Sequence, residues 1–494
     1  MDRPLADEPV LDRDRLAVDP LLPAGLRAVA TALDLPLHIT GGAVRDWYLG
    51  KDAGDIDVTV AGDPLACART FAAVAGGTVV VLDAEHGIVR VAGRNTLDFC
   101  GLRPGCATLI DDLLDRDFTI NALAVPVDGS SGALSVPCPI IDPTGGIADL
   151  RRRRLRAVSD RVFRDDPLRL LRAFRFAARL QLAIDEATME LIRRDGEAIL
   201  AVAGERIGAE LDGLMAAPEA APWILAMVPS GLLWRVLPEL RAGYGCRQPD
   251  SHHLDVFHHS VEALACMERL LTSPAAFFPA AGDRLRHHLA EPATAHALKW
   301  AALLHDLGKP AAFALQDGRI TFHNHDQLGA GMVAAVAERL RWSRRRSERV
   351  ARLIANHMWP FHLNNVYRKE GRVSARACLR LAKKTDLEGV FLLAMADSLA
   401  GQGPGKPAAM EKSLAELYRI VATIYEEKLA AVLDGPPLVT GHDLIETHGL
   451  TPGPLFRQIL TGVEEARAVG EINDRQQALA WISSFLSSRP EDSN

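Results

Sequence analysis

Leu37-His38-Ile39-Thr40-Gly41-Gly42-Ala43-Val44-Arg45-Asp46, followed by Asp55-Ile56-Asp57-Val58-Thr59-Val60, is the stretch on which the reading of this chain turns. A short β-type run ends in two glycines and leads into helix-type sequence from Ala43 to Leu49. That arrangement lets bare backbone N–H groups at a helix N-terminus approach a phosphate. In the second run side chains alternate across a strand, so Asp55 and Asp57 share one face while Ile56 takes the other. Two hard oxygen donors beside a phosphate-cradling turn suit Mg²⁺, which is held by one or two carboxylates plus phosphates. An isolated Asp-x-Asp more often marks a solvated strand end; the glycine pair is what changes that reading. Asp98, in Thr96-Leu97-Asp98-Phe99, is a candidate third carboxylate.

Working outward, β-type runs recur at Thr78 to Leu82 and Ile88 to Val91, separated by glycine-containing turns, so residues 1–150 form a mixed α/β unit. From about residue 151 the pattern is helical, with apolar residues at three-to-four spacing over 164–180, 185–202 and 205–216. A turn-rich stretch from Arg241 to Cys246 opens a third region, and Gly401 to Pro407 breaks the chain before a helical tail. The fold class is therefore α+β. The expected divisions are 1–150, a helical neck at 151–240, an all-α domain at 241–400 and a helical tail at 401–494. A chain of 494 residues exceeds a single core, and 48% hydrophobic with 24% charged residues is ordinary for a folded globular protein.

No stretch reaches the roughly 18 apolar residues a membrane span needs, which excludes a helical membrane protein and points to the cytoplasm. The seven cysteines are scattered and never form C-x-x-C, which argues against a disulfide framework or a thiolate zinc site. The net charge of −7 suggests no polyanion partner, but its distribution does. Between Arg151 and Arg179 stand eleven arginines against three aspartates, a phosphate-attracting concentration. Twelve of the sixteen histidines fall between His252 and His362, as a metal site would require.

Five ordered motifs join these observations: Gly41-Gly42-Ala43-Val44-Arg45-Asp46, Asp55-Ile56-Asp57, Arg116-Asp117-Phe118-Thr119-Ile120-Asn121-Ala122-Leu123, Asp142-Pro143-Thr144-Gly145-Gly146 and Asp165-Asp166-Pro167-Leu168-Arg169. Together they resemble the head and neck of bacterial tRNA nucleotidyltransferases and the related poly(A) polymerases. The resemblance implies that 1–150 is a nucleotidyltransferase head and 151–240 an RNA-binding body. It implies that Asp55 and Asp57 hold the catalytic metals and that Gly41, Gly42 and Arg45 lie near the triphosphate. It also implies that Arg116, Asp117 and Asn121 contact the sugar of the incoming ATP or CTP, and that tRNA is the partner.

Asp166 and Arg169 stand three apart near a helix start marked by Pro167. An aspartate accepts from the exocyclic amine of cytosine or adenine and an arginine donates to ring acceptors, so this pair suits C or A over G or U. In the resembling enzymes such a pair serves as the protein template; a surface ion pair is the alternative. Arg169, Arg172, Arg175 and Arg179 share a third of the helix circumference, opposite Ala173, Phe174 and Ala177, a stripe that either follows RNA phosphates or is a solvated charged face.

His305-Asp306, ended by Gly308-Lys309-Pro310, resembles the signature of HD-domain phosphohydrolases, which marks 241–400 as such a domain. His259, His325, His357 and Asp397 complete a set of nitrogen and oxygen donors. That set suits Mn²⁺, Fe²⁺, Co²⁺, Ni²⁺ or Zn²⁺ more than Mg²⁺ alone. A metal there would make a hydroxide able to attack a phosphoester, so phosphohydrolysis is a second expected activity.

The match departs from its family at three points. Asp115 stands where a second arginine is common, Asp165 replaces a glutamate, and only residues 99–110 separate Asp98 from Asp111, where full CCA-adding relatives have a longer loop. Full CCA addition, CC-only addition and A-only addition all fit, and poly(A) polymerase is the near alternative. A further reading is an HD phosphohydrolase whose head binds RNA.

Overall fold

The computed structural model describes residues Arg15–Leu16, 22–84, 87–93, 96–127 and 138–488. The chain divides into two compact units, Met1–Ala203 with Met227–Arg235, and Gly204–Ala226 with Val236–Asn494.

In the first unit, β1 (Arg15–Leu16) makes a two-residue pairing with Cys138–Pro139, and α1 (Leu22–Leu33) leads into the sheet. The sheet contains β2 (Leu37–Thr40), β3 (Ile56–Val60), β4 (Thr78–Asp83), β5 (Ile88–Ala92), β6 (Leu97–Gly101) and β7 (Ala124–Val127) in the order β4-β5-β6-β3-β2-β7. β3 runs parallel to β6 and antiparallel to β2; the remaining neighbours are antiparallel. Two of these strands, Leu97–Gly101 and Ala124–Val127, go beyond the runs read from the sequence.

Alternation is strict where it matters: Val89 and Val91 of β5 are buried while Arg90 between them faces the other way. α3 (Pro64–Ala75), capped by the Asp63 carboxylate on Leu65 N, packs with α1 against the apolar face, where Phe71 meets Phe99 at 5.7 Å between ring centres. The register aligns Thr40 with Asp57, Asp57 with Asp98 and Asp98 with Arg90, a polar row crossing four strands.

Between β2 and β3 lies α2 (Gly42–Tyr48), which starts at Gly41, where φ is +76°. The positive φ favours glycine there, and a Cβ at Gly41 would push against Arg116 Nη1, 2.6 Å away. Later in the unit come α4 (Leu109–Leu114), α5 (Gly146–Arg151), α6 (Val162–Asp165) and α7 (Arg169–Leu180). The helix read over 164–180 is broken at Asp166-Pro167-Leu168. Pro167 drives the preceding residue out of the helical region, and Asp166 is extended at φ −143°, ψ 102°. α7 buries Leu170, Leu171, Phe174 and Ala177. α8 (Glu186–Asp195) follows.

The second unit is helical and begins with α9 (Gly204–Met215). Its central helices are Val256–Thr272, Pro292–Leu304 and Leu387–Ala400, the last buried on nearly every side. The exception to helix is a hairpin, Phe313–Gln316 with Arg319–Phe322, whose turn residues Asp317 and Gly318 both have positive φ, as a two-residue hairpin favours. The helices Gly441–His448, Pro454–Ala468 and Arg475–Ser487 share an apolar cluster around Leu444, Ile459, Val463 and Ile482. Among the described residues no helix is long and apolar enough to cross a membrane.

Candidate functional sites

In the first unit Asp57 sits in β3 between Thr40 and Asp98, whereas Asp55 precedes the strand and its side chain is 65% exposed. Burial pushes the Asp57 carboxyl above the usual range; Arg116 opposes this, and the like charges of Asp98 and Asp55 add to it. A half-buried carboxylate pressed by two others is the charge arrangement a divalent cation relieves, so these donors fit Mg²⁺.

Arg116 is held over this row. Its Nη2 donates to Thr40 Oγ1 at 2.8 Å and its Nη1 to the Asn121 carbonyl at 3.4 Å, while Nε and Nη2 lie 3.4 and 3.3 Å from Asp112 Oδ2. Beside it runs a second network. Arg45 donates to Asp46 Oδ1 at 2.7 Å and to Asn121 Oδ1 at 2.5 Å. Asn121 Nδ2 donates to Asp117 Oδ1 at 3.0 Å, and Arg172 grips Asp117 Oδ2 at 2.9 and 2.6 Å. Burial alone would raise Asp117, but Arg172 and Asn121 hold it below the usual carboxylate range.

Asp166 Oδ1 accepts from Leu168 N at 3.1 Å, and Arg169 reaches the carbonyls of Asp115 and Val162 at 3.3 and 3.4 Å. The arginine stripe does not present one uniform face. Arg172 is committed to Asp117, the Arg175 guanidinium lies 4.5 Å from the Phe176 ring centre, and Arg179 stands 4.0 Å from Asp46 Oδ2 with its side chain 59% exposed. Phe176 anchors Arg45, Arg172 and Arg175 together on its ring.

The second unit gathers its donors more tightly. Ligand atoms of His259, His305 and Asp306 lie within 4.8 Å of one another, as do those of Asp306, His325 and His357, and those of His252, His259 and Asp397. Asp306 belongs to two of these groups and so can bridge them. His305 Nδ1 faces the carbonyl of Ala302 at 2.9 Å, His325 Nδ1 that of Phe322 at 2.8 Å, and His357 Nδ1 that of Ile354 at 2.7 Å. A carbonyl accepts only from N–H, so each Nδ1 carries a proton and each Nε2 is turned inward, with His325 Nε2 and His357 Nε2 3.2 Å apart. His305 Nε2 lies 3.2 Å from Asp306 Oδ2, and His259 Nε2 lies 3.0 Å from Asp397 Oδ1.

His305 Nε2 and both oxygens of Asp306 are nevertheless buried without an aligned hydrogen bond, although Lys309 Nζ comes within 2.7 Å of Asp306 Oδ2. Orphaned donor atoms converging in a buried site fit a metal ion of the mixed-donor class. Burial lowers His305, yet Asp306 and Asp397 outweigh it and carry the imidazole to about 10; Asp306 and Asp397 themselves lie well below the usual range. The cluster thus attracts protons in place of a cation. Gly308 lets it close, because a Cβ there would lie 2.1 Å from the His325 carbonyl.

A cavity of about 380 Å³ opens on this cluster, lined by His252, Lys309, Phe322, His325, Phe361 and Lys406 among others. His252 lies in the turn-rich segment, where no helical register flagged it. Arg90 and Asp112 were likewise invisible in the sequence, because their importance rests on strand pairing and on a loop contact.

Comparisons with known proteins match three segments of the chain. Residues 37–156 match the poly A polymerase head domain, 181–243 the "Probable RNA and SrmB-binding site of polymerase A", and 256–401 the HD domain. The A-adding tRNA nucleotidyltransferase of Deinococcus radiodurans is 37% identical over 465 residues, covering 92% of this chain and 96% of the relative. The chain belongs to the tRNA nucleotidyltransferase family. It is a nucleotidyltransferase with an HD domain, as its sequence motifs implied.

Within the tRNA nucleotidyltransferases, the CC-adding enzyme of Thermus thermophilus is 32% identical over 450 residues, covering 90% of this chain and 92% of that one. Among solved structures, a CCA-adding enzyme in complex with CTP has a TM-score of 0.63 at 20% identity, covering 95% of this chain and 97% of the other. The Thermotoga maritima CCA-adding enzyme complexed with tRNA-CCA has a TM-score of 0.60 at 20% identity, covering 96% and 97%. These likenesses establish the shared fold, an α/β head followed by helical domains.

Proposed function

We propose that this chain adds AMP from ATP to the 3′ end of a tRNA that already carries CC. The observation that carries the single-nucleotide reading is the connection from β6 to α4, residues 102–108. It is short and pinned: Arg103 N donates to Asp112 Oδ1 at 3.1 Å, Arg103 Nη1 to the Asp112 carbonyl at 3.0 Å, and Ala107 N and Thr108 N to Asp111 Oδ2 at 3.2 and 2.9 Å. A fixed loop supports one base specificity better than a switch between two. The choice of A draws on the A-adding relative, similar over nearly its whole length.

In this reading Asp55 and Asp57 would hold Mg²⁺, which would lower the pKa of the attacking hydroxyl and neutralise charge on the phosphates. Gly41 and Gly42 let the backbone approach the triphosphate. Arg45 and Arg116 balance its charge, and Asp117 and Asn121, pre-set by Arg172, orient the ribose. Asp166 accepts from the adenine amine while Arg169 donates to a ring nitrogen. With the 3′-hydroxyl of the RNA in line, its oxygen bonds to the α-phosphorus and pyrophosphate leaves.

The test is extension of three transcripts, lacking CCA, ending in CC and ending in CCA, with labelled ATP or CTP. One A added to the CC end, with no use of CTP, is expected. CTP incorporation overturns the AMP assignment, and continued A addition on any RNA moves the chain to poly(A) polymerase.

The second unit supports a second activity, metal-dependent hydrolysis of a phosphoester in the cavity beside Asp306. Here His259, His305, Asp306 and Asp397, with His325 and His357, would hold a transition metal, which would supply a hydroxide, and Lys309 would offer positive charge to a phosphate. Phosphate release from model phosphoesters with Mn²⁺ or Ni²⁺, absent in Asp306→Asn, is the check. Equal release by the variant removes this reading.

A further inference from the structure

The polar row across the sheet contains a cation of its own. Arg90 on β5 stands directly opposite Asp98 on β6, and its Nε and Nη2 donate to Oδ1 and Oδ2 of that carboxylate, both at 2.7 Å. The same Nη2 lies 3.7 Å from Asp55 Oδ2. Asp98 is in turn the register partner of Asp57. One guanidinium therefore spans the carboxylates at either end of the Asp55, Asp57 and Asp98 group, and it occupies both oxygens of Asp98.

Among the described residues, the side-chain groups whose ligand atoms gather within 4.8 Å all lie in the second unit. In the head the carboxylates are near enough to raise Asp57, yet they are not drawn together as a ligand set. A bidentate arginine with one face open is consistent with both facts, since the Arg90 side chain is 34% exposed while that of Asp98 is 13% exposed.

We propose that Arg90 is a built-in counter-ion of the head metal site: it takes Asp98 away from the metal in the free protein and passes to the nucleotide's phosphates when metal and triphosphate arrive together. The proposal rests on the reading of Asp55 and Asp57 as metal-holding residues and adds to it how loading is ordered. A divalent ion alone must displace or tolerate a guanidinium already paired in its place, so it binds weakly. A metal–nucleotide complex brings phosphate oxygens that replace the Asp98 carboxylate as Arg90's partner, because a planar fork fits either acceptor. Metal affinity is then coupled to the triphosphate, and the coupling must be reciprocal. Arg90 acts on the metal through Asp98 in the free protein and on the phosphates once the nucleotide is bound, with no part in bond making.

The experiment is Mn²⁺ binding to the full chain followed by electron paramagnetic resonance, with and without a non-hydrolysable ATP analogue. The head component is the one lost in Asp55→Asn/Asp57→Asn; the histidine cluster supplies a component retained there. In the absence of nucleotide, Arg90→Gln is expected to tighten the head component about tenfold. The further tightening that the analogue gives the wild type should shrink by a similar factor. Arg90→Lys, which keeps the charge and loses the fork, should fall between. Arg90→Gln/Asp98→Asn should lose the gain, because Asp98 is the ligand set free. Unchanged or weaker Mn²⁺ binding in both Arg90→Gln and Arg90→Lys overturns the proposal. If Asp55→Asn/Asp57→Asn removes no Mn²⁺ component, the reading beneath it fails, by a result distinct from the Arg90 variants.

Discussion

The head and the HD domain each gather carboxylates, and they do it with opposite physics. The head lines up Asp55, Asp57 and Asp98 on the rim of a sheet, with Asp55 open to solvent and arginines on every side. The HD cluster buries His259, His305, Asp306 and His357 and turns their side chains on one another, leaving His305 Nε2 and both Asp306 oxygens without a hydrogen bond. A site that must exchange its cation with every substrate is well served by exposure and competing charge. A site that keeps its cation is better served by a buried cage with pre-oriented imidazoles.

The sharpest way to break this contrast is at Asp57. Asp57→Asn removes one anionic oxygen from the row and should lower nucleotidyl transfer by on the order of 10³-fold, the scale for losing a main electrostatic element of a transition-state site. Primer extension measures it, and the metal retained by the HD cluster after dialysis should not change. A parallel loss of that metal would mean the two sites are not independent.

The next effect concerns stability. A tightly held metal stabilises the folded state by mass action, about 4 kcal/mol when the free ion is 1,000 times its dissociation constant. Stripping with a chelator, or Asp306→Asn, should therefore lower the melting temperature of the second unit by several degrees and leave transfer within about twofold of wild type. Calorimetry with and without added Mn²⁺ checks it. No shift on metal return would sink the resident-metal half of the comparison.

A third effect lies inside the head. Arg172→Gln leaves the buried Asp117 carboxylate with only Asn121 and its neighbouring backbone N–H, and should cost about 2 kcal/mol of stability. Asp117 is depressed in the folded state, so the stability it contributes is present above the unfolded aspartate pKa of about 4 and is lost as pH falls through the lower folded value. The gap between wild type and variant in chemical unfolding should thus be full at pH 7 and close in the acid limb. A gap that persists in acid would assign the loss to Arg172's packing on Phe176 instead.

How much of this was legible depends on what each residue's role rests on. The placement of Gly41, Asp57, His305 and Asp306 was readable because it is set by immediate sequence neighbours: a strand alternation, a glycine turn, a helix end. Arg90 was not, since its partner is fixed by strand register and sits in a strand, Leu97–Gly101, that only the sheet reveals. His252 lies in a turn without periodicity. The helix break at Asp166 was half-visible: Pro167 announced a helix start, while the segment was still read as one helix from 164. Arg172 shows the limit of helical-wheel reasoning, which gives the face of a side chain and not the partner waiting 55 positions earlier.

That limit sets up the smallest and most discriminating effect, a comparison within α7 itself. Arg172 and Arg179 share a face of the wheel, but one is locked to Asp117 at 2.6 Å and the other stands 4.0 Å from Asp46, mostly in solvent. An exposed pair at that distance contributes little to folding. Arg179→Ala should leave the melting temperature unchanged while weakening RNA binding a few-fold. If Arg179 meets a phosphate, the slope of log affinity against log salt should become shallower by roughly one ion. Arg172→Gln should do the reverse, lowering stability with little change in the salt slope. Were both variants to lower the slope equally and spare stability, the arginine stripe would be one continuous phosphate track. The Asp117 pair would then be a contact that RNA exchanges on binding, much as Arg90 exchanges Asp98 for the nucleotide.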